Sequence, residues 1–387
     1  MGRDRLASRL QGLGQTIFAE MSALAMRTGA INLGQGFPDV DGPTEVIDAA
    51  AAAMRAGRNQ YAPGWGVPEL RTAIARHQQR FYGLDVDPDT EVLVTTGATE
   101  AVAATLLALV EPGDEVIALE PYYDSYAACI AMAGGRRVPI TLRAPDFRLD
   151  VDALRRAVTT RNRLLLVNTP HNPTGTVLTD AELRAIAEIA CEHDLVVVTD
   201  EVYEHLTFDG LVHRPLASYD GMRERTLTIS SGGKTFSFTG WKVGWEIGPA
   251  ELLRAVMMAK QFLTFTSGAP LQPAIAAALD LDDSYYAGLR TSLQAKRDHL
   301  CDGLRTIGFD VFVPQGTYFA TTDIRPLGYD DGVEFCLQLP ELCGVVAIPT
   351  QVFYDDKTAG KPLVRWAFCK RDDVIDAAVD RLGALRR

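Results

Sequence analysis

The sequence lacks the features that mark several large classes of proteins. No apolar run approaches the roughly 18 residues that cross a membrane, and the first residues show no apolar segment of the secretory type. The six cysteines are scattered without a C-x-x-C pair, which is typical of reduced thiols that lie mostly in a core. The histidines form no H-E-x-x-H or paired arrangement, so we expect no metal site. These absences predict a cytoplasmic protein without a membrane partner.

Positive charge is also scarce relative to negative charge. The formal net charge is −12, which argues against nucleic acid or an anionic membrane surface as the main partner. An anionic small molecule could still be held locally by a few basic side chains and helix N-termini. With 387 residues the chain is long enough for a large core and for two domains.

The pattern that is present is an alternation of short apolar strands with helices. Helices at 13–29, 44–56 and 68–82 come first, and the alternation begins at residue 91. Strands are predicted at 91–95, 115–119, 137–142, 164–168, 195–199, 226–230 and 242–247, with helices at 98–110, 124–133, 151–158, 180–192, 250–263 and 271–281. This alternation predicts an α/β fold whose central sheet is mostly parallel and covered on both faces.

A change of pattern marks the C-terminal part. After a long helix at 284–307, strands near 309–313, 317–323, 345–348 and 363–369 accompany two further helices, as in an α+β domain. We therefore predict a large domain at 46–283 and a small domain at 284–387. The N-terminal segment 1–45 is predicted to pack with the small domain.

Polar side chains cluster where the predicted strands end. Such segments lie at 95–100, 120–124, 168–175 and 199–204. In an open parallel sheet, ligands bind beyond the carboxyl ends of the strands. Taken singly, each segment is more often a helix cap, a turn, packed tyrosines or a solvated acid. Their joint occurrence at successive strand ends favours a binding site.

A lysine in a run of small residues, Ser-Ser-Gly-Gly-Lys-Thr-Phe-Ser at 230–237, follows another predicted strand. A lysine in such a pocket can lose its proton and attack a carbonyl. A solvated surface lysine is the plainer interpretation of this segment alone. Ser-x-x-Lys also occurs in penicillin-binding enzymes, but the Ser-Asp-Asn and Lys-Thr-Gly partners of those enzymes are not found here.

Together these segments resemble the fold-type I, class I and II aminotransferases that depend on pyridoxal phosphate, and the resemblance extends over nearly the whole chain. Within that family the sequence resembles the branch of the kynurenine, glutamine and methionine aminotransferases and of the actinobacterial N-succinyldiaminopimelate aminotransferases. The resemblance rests on Asn-Leu-Gly-Gln-Gly-Phe-Pro-Asp (32–39), Asn-Gln-Tyr (59–61), Glu-Pro-Tyr-Tyr-Asp-Ser-Tyr (120–126), Pro-His-Asn-Pro-Thr-Gly (170–175), Asp-Glu-Val-Tyr-Glu (200–204) and the lysine segment.

The resemblance implies roles for individual residues toward the cofactor pyridoxal 5'-phosphate. Lys234 would form a Schiff base with the cofactor and later move a proton. Asp200 would pair with the pyridinium nitrogen, while Tyr203 and Asn172 would bind the phenolate oxygen. The remaining implied cofactor contacts are Tyr123 on the ring face and, around the phosphate, Ala98, Thr99, Ser231, Lys242 and Tyr61 from a second subunit. A homodimer with shared active sites is therefore implied.

Substrate contacts are implied in the same way. Arg365 would clamp the substrate carboxylate in a two-pronged pair, and Gly36 would offer its backbone N–H to it. Asn172, Phe18 and Phe265 would also border the substrate. Since no second arginine is evident, strict use of aspartate is disfavoured. We expect an amino acid of methionine, aromatic, kynurenine or glutamine type, or N-succinyldiaminopimelate, and a 2-oxo acid acceptor in a ping-pong mechanism.

Two other functions remain open at this point. A lyase that eliminates sulfur from cysteine conjugates would share the fold and the first proton abstraction, so analogy of fold does not exclude it. An effector domain of a transcription regulator would need a basic helix-turn-helix before residue 32, and none is evident there.

Overall fold

The computed structural model describes residues 7–11 and 14–386. Residue 13 of the helix predicted at 13–29 lies outside these residues, and the observed helix begins only at Ile17, after the N-cap Thr16. The helices are α1 Ile17–Thr28, α2 Thr44–Arg55, α3 Pro68–Tyr82, α4 Gly97–Leu109, α5 Asp124–Ala133, α6 Val151–Ala157, α7 Asp180–Glu192, α8 Gly232–Thr235, α9 Ala250–Lys260, α10 Leu271–Leu279, α11 Asp283–Ile307, α12 Gly332–Cys343, α13 Lys357–Gly360 and α14 Asp372–Leu382. The strands are β1 Ile31–Asn32, β2 Val92–Thr95, β3 Glu115–Glu120, β4 Arg136–Thr141, β5 Asn162–Asn168, β6 Val196–Asp200, β7 Thr226–Ser231, β8 Gly244–Ile247, β9 Asp310–Phe312, β10 Phe319–Asp323, β11 Val345–Val346, β12 Ile348–Pro349 and β13 Leu363–Ala367.

The central sheet has the strand order β2-β8-β7-β6-β5-β3-β4. Its strands are parallel except β8, which pairs antiparallel with both β2 and β7. Side chains of β2, β3 and β7 are buried along their whole length because helices cover both faces. The predicted α/β class with a mostly parallel central sheet is confirmed.

Two helices bring their N-termini to the carboxyl edge of this sheet. Helix α4 begins directly after β2, at Gly97 with a φ of 73°, a left-handed conformation that suits glycine. Helix α5 begins shortly after β3 and ends at Gly134, which is left-handed at 83°. Because both connections are short, the first turns of α4 and α5 lie beside the ends of the strands.

The C-terminal part contains a second, four-stranded antiparallel sheet with the order β12-β13-β10-β9. The short strand β1 pairs in parallel with β11, and α1 packs against α12. Met21, Ala25 and Leu33 share one hydrophobic cluster with residues of the C-terminal region. The division of the chain at 45 and 283, with the N-terminal segment packed on a small domain, stays a prediction.

The observed elements differ from the predicted ones in several places. Lys234 lies on the short helix α8 rather than in a loop. The strand predicted from residue 242 begins at Gly244, because Lys242 has a φ of 55° that no strand accommodates. The strand predicted at 345–348 is two strands, β11 and β12, which belong to different sheets.

Among the described helices, none is long and apolar enough to cross a membrane.

Candidate active site

A cavity of about 430 Å³ lies at the carboxyl ends of β2, β3, β5, β6 and β7. Residues that follow or end these five strands meet there although they are far apart in the sequence. Most of the predicted site residues line it, namely Phe18, Gly36, Ala98, Thr99, Tyr123, Asn172, Asp200, Tyr203, Ser231, Lys234, Lys242 and Arg365.

Lys234 reaches this cavity from α8. Its Nζ donates a hydrogen bond to the Tyr318 hydroxyl at 3.0 Å. Burial lowers the pKa of Lys234 to about 8, and the positive charge of Lys242 adds to this effect. A substantial fraction of the amine is therefore neutral near physiological pH, as a nucleophile or general base requires.

Asp200 is the last residue of β6, and its carboxylate is almost fully buried. Burial raises the pKa of Asp200, while hydrogen bonds from Tyr126 and the backbone of Val202 oppose the rise. The Tyr126 hydroxyl donates to Oδ2 at 2.5 Å, and the Val202 N–H donates to Oδ1 at 3.3 Å. The carboxylate is thus held in one orientation beside Lys234, where it can pair with a buried cationic ring nitrogen.

The other end of the cavity gathers groups that favour an anion. The N-terminus of α4 presents free backbone N–H groups at Ala98 and Thr99. Lys242 and Ser231 border the same end. A Cβ on Gly244 would lie 2.6 Å from the Gly97 carbonyl carbon and 2.8 Å from the Ala98 nitrogen, so only glycine allows β8 to approach the helix start.

Arg365, on β13, is 1% exposed and carries an unsatisfied donor. One terminal nitrogen donates to Asn172 Oδ1 at 2.9 Å, and the other donates to the Gly34 carbonyl at 2.8 Å. Its Nε has no hydrogen-bond partner among the described residues. Burial lowers the pKa of Arg365 to about 10. Within the described part of the chain no carboxylate pairs with this buried guanidinium, and such a group suits an anionic ligand.

Aromatic rings form the wall beside this arginine. The guanidinium carbon of Arg365 lies 3.8 Å from the centre of the Phe319 ring and 5.1 Å from that of Phe18. Phe18 is 6.3 Å from Tyr123, measured between ring centres. Gly36 lies against the same wall, because a Cβ there would be only 2.3 Å from Phe319 Cζ. Close passage of the backbone past the cavity therefore requires glycine at this position.

Two predicted site residues do not line the cavity of this chain. Tyr61 is 82% exposed and Phe265 is 54% exposed, and their rings meet edge to face at 5.2 Å. That Tyr61 serves a second subunit stays a prediction. Phe265 was expected to border the substrate, and a single chain does not bring it there.

Residues that sequence reasoning did not assign also enter the site. Tyr126 lies in the first turn of α5, three residues after the N-cap Tyr123, and this spacing could have indicated its role. No local signal marks Tyr318.

Outside this cavity, two histidines that are far apart in the sequence lie together. His77 Nε2 is 2.7 Å from His205 Nε2, in a buried group with Glu204.

The donor set fits pyridoxal 5'-phosphate. An amine with a lowered pKa at Lys234, a fixed buried carboxylate at Asp200 and an anion site at the start of α4 line one cavity. These are the groups that an aldehyde, a basic ring nitrogen and a phosphate ester need.

Comparison with known proteins agrees with this fit to pyridoxal 5'-phosphate. The family model "Aminotransferase class I and II" matches residues 28–382. The chain is 58% identical to a probable N-succinyldiaminopimelate aminotransferase of Mycobacterium tuberculosis, over 98% of each chain. It is 42% identical to the methionine aminotransferase of Escherichia coli, also over 98% of each chain. The solved N-succinyldiaminopimelate aminotransferase of M. tuberculosis superposes with a TM-score of 0.96 at 58% identity, over 98% of this chain and all of that one.

Proposed function

We propose roles for the residues of this chain on the basis that it belongs to the class I and II aminotransferases and is a transaminase that uses pyridoxal 5'-phosphate. The amino group of an amino acid passes to a 2-oxo acid. The similarity to named aminotransferases does not favour the lyase or the regulator.

We assign the proton transfers to Lys234 and the electrostatic support to Asp200. When bound, the cofactor supplies a conjugated ring that accepts the electron pair left at the substrate Cα. Lys234 Nζ takes the proton from Cα and later releases it, which a pKa of about 8 allows. Asp200, held by Tyr126, keeps a ring nitrogen protonated because its buried negative charge favours the cation.

The remaining cavity residues hold the cofactor in place. Tyr203 and Asn172, which line the cavity, would hold its ring oxygen, and Tyr123 would lie against its ring. Ala98 and Thr99 at the start of α4, with Ser231 and Lys242, would hold its phosphate. The ammonium group of Lys242 is a compact charge without a planar arrangement of donors. The orientation of the phosphate would therefore depend on the backbone N–H groups.

We propose that Arg365 binds the α-carboxylate of the substrate. Its unpaired Nε, buried at the cavity wall, is a donor for the α-carboxylate that all amino acid substrates share. The side-chain end of the cavity adds Thr16, Gln35 and Ser125 to the aromatic Phe18. These uncharged hydrogen-bonding groups, which share the lining with the acidic Asp124, suit the internal amide of a long side chain.

We therefore propose N-succinyldiaminopimelate as the donor, supported by the 58% identity to a protein named for that activity. A methionine-type donor is the second candidate. It is favoured by the ring pair Phe18 and Tyr123 and by the 42% identity to a methionine aminotransferase.

We further propose a cytoplasmic homodimer in which Tyr61 of each subunit contacts the phosphate in the other. Support comes from apolar exposure around this tyrosine: Phe262 is 86% exposed, Met258 is 68% exposed, and Phe265 packs on Tyr61. Exposed apolar groups of this density are typical of an interface. Phe265 would then border the substrate from the partner side.

The decisive experiment is a spectral titration of the purified holoenzyme with single amino acids. The panel contains N-succinyldiaminopimelate, methionine, phenylalanine, kynurenine, glutamine and aspartate. We expect N-succinyldiaminopimelate to convert the bound cofactor to its amine form fastest, with aspartate slowest. A faster response to methionine would select the second candidate. Pyruvate and ammonia released from cysteine conjugates, without any 2-oxo acid, would instead support the lyase.

A further inference from the structure

Tyr318 holds the free amine of Lys234 in this structure. Tyr318 is 1% exposed, lies just before β10 and contacts Lys234, which lines the cavity. The Tyr318 hydroxyl accepts a hydrogen bond from Lys234 Nζ at 3.0 Å and donates one to the Gly36 carbonyl at 2.6 Å. One phenol thus connects the lysine to the backbone segment beside the proposed carboxylate site.

The backbone around Tyr318 is firmly placed. Thr317 has a φ of 66°, in the left-handed region that threonine rarely adopts. Its N–H donates to the Leu206 carbonyl at 2.9 Å, and the Phe368 N–H donates to the Tyr318 carbonyl at 2.9 Å. The Tyr318 ring also packs edge to face on Tyr203, with 5.2 Å between ring centres. A side chain held by these contacts and by its bond to Gly36 can fix the position of a flexible lysine.

The direction of the phenol proton decides what Tyr318 can do. Burial raises the pKa of Tyr318 well above its ordinary value, so the hydroxyl keeps its proton. That proton is committed to the Gly36 carbonyl, which leaves only oxygen lone pairs for Lys234. The lysine must therefore donate an N–H to Tyr318, and the lone pair of a neutral amine remains free.

We propose that Tyr318 is the positioning residue of Lys234: it accepts an N–H of the free amine and so leaves the nitrogen lone pair available for the proton of the substrate Cα. This inference rests on the proton-carrying role proposed for Lys234. In the step it supports, the Cα–H bond breaks, its electron pair stays with the substrate, and a new N–H bond forms on Nζ. Tyr318 neither gains nor loses a proton.

Tyr318→Phe tests the proposal because it keeps the ring and removes only the hydroxyl. In the apoprotein, the pH midpoint for labelling Lys234 with an amine-reactive reagent, followed by mass spectrometry, should fall by about one unit, since the ammonium form loses an acceptor. In the holoenzyme, kcat should fall about tenfold with KM nearly unchanged. The isotope effect on kcat with an α-deuterated donor should rise.

Tyr286→Phe is the matched control. Tyr286 is also 1% exposed and donates to a backbone carbonyl, that of Leu279 at 3.0 Å, but it does not touch Lys234. This variant should leave the labelling midpoint and the isotope effect at their wild-type values. If Tyr318→Phe does not fold, replacement of Tyr318 by 3-fluorotyrosine keeps the shape and weakens the oxygen as an acceptor, so the midpoint should fall by a smaller amount.

A wild-type labelling midpoint together with a wild-type isotope effect in Tyr318→Phe would overturn the inference, even if kcat fell. If the wild-type protein transferred no amino group, the proposed function would be refuted. A shifted labelling midpoint in Tyr318→Phe would in that case still support the contact between Tyr318 and Lys234.

Discussion

Replacing Arg365 by lysine tests the carboxylate site most directly. The variant keeps a positive charge but loses the fork-shaped arrangement of donors. In the structure the two terminal nitrogens of Arg365 also bind Asn172 and Gly34, while Nε has no partner among the described residues. Substrate binding would add charge-assisted hydrogen bonds to this buried group.

The magnitude follows from those bonds. A two-pronged pair would use Nε and the second N–H of one terminal nitrogen; each hydrogen bond to a charged group contributes about 1.5 to 3 kcal/mol, so two of them contribute about 3 to 6 kcal/mol. Because about 1.4 kcal/mol corresponds to a factor of ten, loss of both would lower kcat/KM by roughly 10² to 10⁴. Lysine keeps part of the Coulomb attraction, so we expect about the lower end of this range for Arg365→Lys.

The assay compares amino acids with amines of the same side chain that lack the α-carboxylate. Steady-state kcat/KM should fall by a common factor for every amino acid of the panel, and it should change little for the amines. Arg371→Lys, at an exposed arginine paired with Asp373, is the matched control and should behave as wild type. Equal losses for amino acids and amines, or a loss confined to one side chain, would refute the carboxylate role of Arg365.

Three further variants probe the cofactor site, the sheet and the subunit interface. Lys234→Ala should abolish both the visible absorption band of the bound cofactor and turnover, and an intact spectrum with wild-type turnover would contradict the assignment. Burial raises the pKa of Glu246 to about 8 from an ordinary 4.5, so the stability it contributes is complete below about pH 4.5 and is lost as the pH rises to about 8. Glu246→Gln, which keeps the acceptor for Thr105, should remove this slope from the apparent melting temperature measured across that pH range. If the pH profiles of the variant and the wild type coincided, Glu246 would already be ionised in the folded protein across that range. Tyr61→Phe should weaken cofactor binding at equilibrium about tenfold if the tyrosine reaches the partner subunit, and an unchanged dissociation constant would exclude that contact.

Much of the site could be predicted because it is built from local segments. Strands such as Val196–Asp200 are short β-branched or apolar runs, and their ends are visible as changes in composition. In a parallel sheet those ends must lie at one edge, so the order of strands and helices is enough to expect that Asp200, Asn172 and Lys234 meet. The prediction was less accurate where one residue broke the pattern, as Lys242 does with its left-handed backbone.

The sequence alone thus determined the fold class, the alternation of elements and the segments that carry the chemistry, since these depend on side-chain periodicity and on turn residues within a few positions. Only the tertiary structure decided that Tyr318 holds Lys234 from 84 positions away, and that Nε of Arg365 is left without a partner among the described residues. It also decided that Tyr61 is exposed and that His77 meets His205. The physical reason is that burial and hydrogen-bond satisfaction depend on which distant elements pack together, and no local pattern encodes the orientation of a side chain across such an interface.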